Sequence, residues 1–107
     1  MTWKPISLDK IMDLITEGEA EMDRDVLALW NSIKITPEKW RQVSYPDSGD
    51  EFWVVGLDGK TAIYFNDIED GFNISGFKTY GHLDDRGYEQ DELQWTMIKL
   101  FRSRDVQ

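Results

Sequence analysis

An α+β domain is the architecture this sequence predicts. Its elements are an antiparallel meander of three or four strands, two helices before it and one after it. The main observation is the stretch Phe52 to Phe65, where two apolar runs flank Asp58-Gly59, a pair suited to the positive φ angles of a two-residue hairpin turn. The others are apolar residues recurring at helical spacing upstream of Ile33 and again downstream of Glu89.

Taken in order, Met1 to Ile6 is a short lead containing Trp3 and Pro5. Ser7 is placed to cap a helix, with Asp9 in its first turn, where the helix dipole favours an anion. Leu8, Ile11, Met12, Leu14 and Ile15 supply the stripe, and Gly18 is expected to end or interrupt it. A second helix is expected from about Glu19 to Ile33, with Met22, Val26, Leu29, Trp30 and Ile33 facing inward. Thr36-Pro37 reads as a further helix start, because Thr caps and Pro suits the first helical position; alternatively Trp40 leads into a strand through Tyr45. Pro46 to Asp50 is a loop.

With Asp58 and Gly59 in the turn, Leu57 would face Lys60, Val55 would face Ala62 and Trp53 would face Tyr64. Phe52, Val54, Ile63 and Phe65 would then share one side, and Trp53, Val55, Leu57, Ala62 and Tyr64 the other. Both sides are largely apolar, so the second is either covered by this chain or offered to a partner, a second copy included. Asn66 to Gly71 is a polar connection, Phe72 to Tyr80 a further strand with an edge-like mixed pattern, and Gly81 to Gly87 a turn-rich stretch. The last helix is expected over Glu89 to Arg102, with Leu93, Met97, Leu100 and Phe101 as its main stripe, widened by Trp95 and Ile98. Whether it joins the other helices or crosses to the opposite side of the sheet is open at this point.

The 107 residues suit a single domain. The absence of cysteine excludes disulfides and thiolate catalysis and fits a cytoplasmic location. Nothing resembles a secretory leader or a membrane span. Twenty-one acids against 12 basic residues give a formal net charge of -9, which disfavours contact with a nucleic-acid backbone and suits either solubility or a basic protein partner. Seven of the acids lie between Asp9 and Asp25, either as the solvated face of two helices or as part of a negative docking surface.

No residue set carries enough chemistry to name a reaction. Asp67, Glu69 and Asp70 could offer oxygens to a cation such as calcium, but their spacing is not that of an EF-hand loop, and Asp and Asn also serve turns. Carboxylate pairs for a small hydrolase are abundant among Asp67, Glu69, Asp70, Asp84, Asp85 and Glu89, and nothing in the sequence distinguishes an acid from a base. His82 is the sole histidine, no nucleophile elbow surrounds Ser44 or Ser75, and the glycines do not form a phosphate loop. No cofactor is expected. Aromatic residues interleave with the acids: Trp53, Tyr64, Phe72, Phe77, Tyr80 and Tyr88 lie among or beside them, a mixture found at protein interfaces and also in packed cores. The expected contact set for a basic partner is Asp67, Glu69 and Asp70, then Asp84 and Asp85, with Phe72 or Tyr80 adding apolar contact where exposed.

Phe52-Trp53-Val54-Val55-Gly56, Asn66 to Asn73, Tyr80-Gly81 and Gln90-Asp91-Glu92-Leu93 resemble a group of small acidic bacterial proteins of the immunity type, encoded near polymorphic toxins. The resemblance spans roughly Trp40 to Leu93. It implies binding to a toxin and obstruction of its active surface without chemistry. It carries over no catalytic residue.

Overall fold

A computed structural model describes residues 5–42, 51–85 and 87–105. Three helices, α1 (Leu8–Ala20), α2 (Arg24–Ile33) and α3 (Leu93–Asp105), accompany five strands: β1 (Lys34–Gln42), β2 (Glu51–Asp58), β3 (Thr61–Asn66), β4 (Gly71–Gly76) and β5 (His82–Leu83). They form one sheet in the order β4-β3-β2-β1-β5, antiparallel except where β5 runs parallel to β1. The predicted α+β class and helix count hold, while the strand count rises to five and the sheet curls into a half-barrel.

Ser7 caps α1 as expected, its Oγ accepting the Lys10 N–H at 3.2 Å. Gly18 does not end the helix. A Cβ there would lie 2.7 Å from Leu93 Cβ, so glycine lets α1 pass close to α3 while the helix continues to Ala20. The second helix therefore starts later than Glu19, at Arg24, where the Asp23 carboxylate accepts the Val26 N–H at 2.9 Å. It passes directly into β1 at Lys34. The expected helix start at Thr36-Pro37 is thus overturned. Pro37 is tolerated in β1 because β5 pairs only with Arg41 and Gln42, and the β1–β2 register shifts between Lys34 and Glu38. The expected continuation to Tyr45 and the loop from Pro46 to Asp50 lie outside the described residues.

The central hairpin forms, but its register differs from the expectation. Asp58 pairs with Thr61, so the turn is Gly59-Lys60, with Gly59 at φ 59°. An irregularity between Val54 and Gly56 leaves Val55 as the extra residue. The slip exchanges faces: Phe52, Val54 and Leu57 join Ala62 and Tyr64, whereas Trp53 and Val55 join Ile63 and Phe65.

Each face has its own core. On the helical side, Ile11, Trp30, Ile33, Phe65, Leu93 and Met97 bury one another, and α3 touches α1, α2 and β4. The last helix therefore joins the other two on this side. On the second side, Trp40, Phe52, Val54, Tyr64, Phe77 and Leu83 form a separate cluster, with the Trp40 and Phe77 rings edge to face at 4.8 Å. The chain leaves β4 at one edge of the sheet and returns as β5 at the other. Asp84 N–H then donates back to Gly76 O at 3.1 Å, drawing the two edges together.

Buried amides secure this closure. Gln42 Nε2 donates to Leu83 O at 3.3 Å and to Asp85 O at 2.9 Å. Asn73 Nδ2 donates to Glu89 O at 3.1 Å, and Asn73 Oδ1 accepts the Glu89 N–H at 2.9 Å. Gly87 N–H donates to the Tyr64 hydroxyl at 2.9 Å. Buried polar side chains are stable here because backbone groups of the covering segment meet them. The chain itself therefore covers the second apolar cluster.

Candidate functional site

The expected contact residues fall into two separate groups. Asp67, Glu69 and Asp70 occupy the turn before β4, whereas Asp84 and Asp85 sit beside its far end at Gly76. Five residue steps of about 3.3 Å put these ends about 17 Å apart, so they do not converge.

Several of these acids are engaged in holding the backbone. Asp67 Oδ2 accepts the Ile6 N–H at 2.8 Å, while Trp53 Nε1 donates to Ile6 O at 3.0 Å. Asp67 and Trp53 together fasten the segment ahead of α1. Asn66 Oδ1 accepts the N–H groups of Ile68 and Glu69 at 3.0 and 3.1 Å, organising the turn from within. Asp70 takes a left-handed φ of 64°, a conformation that Asp adopts more readily than most residues, and its side chain is exposed. Asp84 is half-buried. Asp85 Oδ2 accepts the Gly76 N–H at 2.8 Å.

Phe72 cannot supply an exposed apolar contact. It is 2% exposed and packs edge to face with Phe65 at 4.9 Å in the helix-side core. Tyr80 meets that condition at 61% exposed. Its ring lies 4.6 Å from that of Trp40, and its hydroxyl donates to the Glu38 carboxylate, which also accepts from Trp40 Nε1 at 2.8 Å. The hydrogen bond to Glu38 raises the Tyr80 hydroxyl above its ordinary pKa, and desolvation and the Glu38 charge act in the same direction. A raised folded-state pKa means that this contribution to stability is present below the unfolded value of about 10 and is lost as pH rises through the folded value. In an alkaline titration followed by tyrosinate absorbance, Tyr80 should ionise late, and Glu38→Gln should bring that step back toward ordinary tyrosine. An alkaline limb unchanged by both Glu38→Gln and Tyr80→Phe would contradict this assignment.

Asp70 does acquire acidic company. With Glu17, Asp91 and Glu92 it lines a cleft of about 200 Å³ between α1, the β3–β4 turn and the start of α3. Asp91 is answered by Lys99 at 2.6 Å, and this contact holds the Lys99 ammonium above its usual pKa. Glu17 belongs to a longer row. Asp9, Asp13 and Glu17 on α1 and Glu21 at its C-cap recur at four-residue intervals, all are exposed, and none forms an ion pair among the described residues. This row lies within the acidic stretch noted in the sequence. Its four-residue recurrence is the signal that separates it from an evenly charged helix surface.

Among the described residues, no group of three or more His, Asp or Glu side chains is arranged to hold a metal ion. His82 is exposed in β5, opposite Arg41. Ser75 is buried, its hydroxyl donating to Gly76 O and accepting the Asp85 N–H; Ser44 lies outside the described residues. No helix among the described residues is long and apolar enough to cross a membrane.

These features define a small α+β domain with a mostly antiparallel sheet and an acidic helix face. Comparison with known proteins found no matching family model, no matching curated protein and no matching solved structure.

Proposed function

We propose that this domain is a non-enzymatic binding module for a basic protein, with neutralisation of a basic toxin as its sharpest biological form. The observation that carries the reading is the acidic row on α1. Like charges four residues apart destabilise a helix by about 0.2–0.5 kcal/mol per pair. Glu21, at the C-terminal end of α1, also opposes the helix dipole. Asp9 suits the first turn of α1, but the fold gains nothing evident from Asp13, Glu17 and Glu21, whereas a cationic partner would be steered by the whole row. Asp70 extends the row around the cleft it shares with Glu17.

The test starts with a partner recovered by tagged protein from the native organism and then measures its association rate. Neutralising Asp9, Asp13, Glu17 and Glu21 as Asn or Gln should slow association at low salt by about tenfold or more, with the fold retained. Neutralising Glu69 and Asp70 should have a smaller effect. A partner whose association is insensitive to both salt and these changes would overturn the reading. If the partner is toxic, coexpression must protect cells; a soluble complex without protection rejects the immunity role and leaves binding standing.

A further inference from the structure

Beside the acidic row, α1 and the α2–β1 junction enclose a groove of about 490 Å³. Leu8, Met12, Ile15, Trp30, Ile35 and Pro37 supply most of its apolar lining. Leu8 and Met12 are both exposed, at 41% and 45%. The floor is held in place, because Trp30 Nε1 donates to Glu19 Oε2 at 2.7 Å and Lys34 lies 3.5 Å from the same oxygen. Lys34 is therefore already paired. Asp9 and Asp13 each follow a groove residue by one position, about 100° further round the helix. They form an acidic rim on the solvent side, and neither is ion-paired among the described residues.

The outer edge of β1 does not invite a strand. Pro37 lacks an N–H, and the β1–β2 register is irregular around it. A side-chain anchor suits the groove better than backbone pairing. Met12 adds an adaptable apolar wall.

We infer that this groove docks a segment of a basic protein, with an apolar anchor entering between Met12 and Ile35 and flanking lysines or arginines meeting Asp9 and Asp13. This rests on the basic-partner reading and adds the place and form of the contact. The charge complementarity of the rim selects a cationic segment over an acidic one, and the apolar floor selects an anchored segment over a purely charged one.

Three synthetic peptides of equal length test it: leucine and lysine at helical spacing, the same with serine for leucine, and the same with glutamine for lysine. Amide NMR shifts and fluorescence anisotropy are read on the full chain. The leucine–lysine peptide should move amides of α1 and of Lys34 to Thr36, and should bind about tenfold more tightly than either relative. Met12→Asp is the decisive variant. It adds a charge that simple attraction would welcome and removes the anchor wall at an exposed position, where the fold tolerates the change. Binding should fall about tenfold.

Equal or tighter binding by Met12→Asp would overturn the groove. So would equal binding by the serine–lysine peptide, although the basic-partner reading would survive both results. Failure of both cationic peptides to bind would overturn that reading together with the groove. Concentration-dependent shifts of the same amides without peptide would mean that a second copy occupies the groove, and would overturn the basic segment as its occupant.

Discussion

Trp40→Ala should destabilise the domain by about 4 kcal/mol, lowering the thermal midpoint by about 15 °C. Trp40 is 1% exposed at the centre of the second core. Its ring meets Phe77 at 4.8 Å and Tyr80 at 4.6 Å, and its Nε1 donates to Glu38. Truncation would leave a cavity between a curled sheet and its covering segment, where paired strands cannot close in to fill it. The neighbouring Arg41 and Gln42 pair with β5, so the closure itself would loosen. Trp40→Phe keeps an aromatic ring and loses only the donor and part of the volume; it should cost roughly half as much. Denaturant unfolding of both variants checks the pair. A midpoint for Trp40→Ala close to that of the parent would refute the second core as a source of stability.

Gly71→Ala should cost about 3 kcal/mol, a large effect for a single added methyl group. A Cβ at Gly71 would lie 2.3 Å from Gln90 Cα and 2.5 Å from Glu89 O. Both are backbone atoms, so no side-chain rotation relieves the clash. The strain would fall on the adjacent bridge, where Phe72 N–H donates to Asp91 O at 2.8 Å, and on the approach to α3. Gly76→Ala is the control on the same strand, because its nearest neighbour would be Asp85 Oδ2 at 3.4 Å. Comparable unfolding midpoints for the two variants would show that the segment before α3 is not pressed against β4.

The helices were legible because Ile11, Ile15, Val26, Trp30, Leu93 and Met97 recur at the helical period and are buried. The hairpin was legible as a hairpin, but its register was not. Register is normally read from the contrast between a buried face and a wet one, and here both faces of β2 and β3 are buried. Asp58-Gly59 and Gly59-Lys60 both suit a turn, and the extra residue at Val55 left no trace in composition. β5 was invisible because two residues carry no period. The surplus of acid was plain from the sequence, but its division of labour was not. Asp67 is engaged by Ile6, 61 residues away, and Asp85 by Gly76, so backbone partners decide which carboxylates remain available. Phe72 and Tyr80 both lie beside acids in the sequence; the tyrosine hydroxyl favours exposure and the phenylalanine ring a core, and the packing places them so, at 61% and 2% exposed.

The closure of the half-barrel also bears on the order in which the chain folds. β2, β3 and β4 follow one another through short turns, so their pairing fixes little intervening chain. The link between Gln42 and Leu83 spans 41 residues and gains stability only once the meander exists to receive it. On loop-closure grounds the meander is expected to form ahead of the β1–β5 junction. Substitutions at Gln42 or Leu83 should then raise the unfolding rate more than they lower the folding rate, which a denaturant chevron would check.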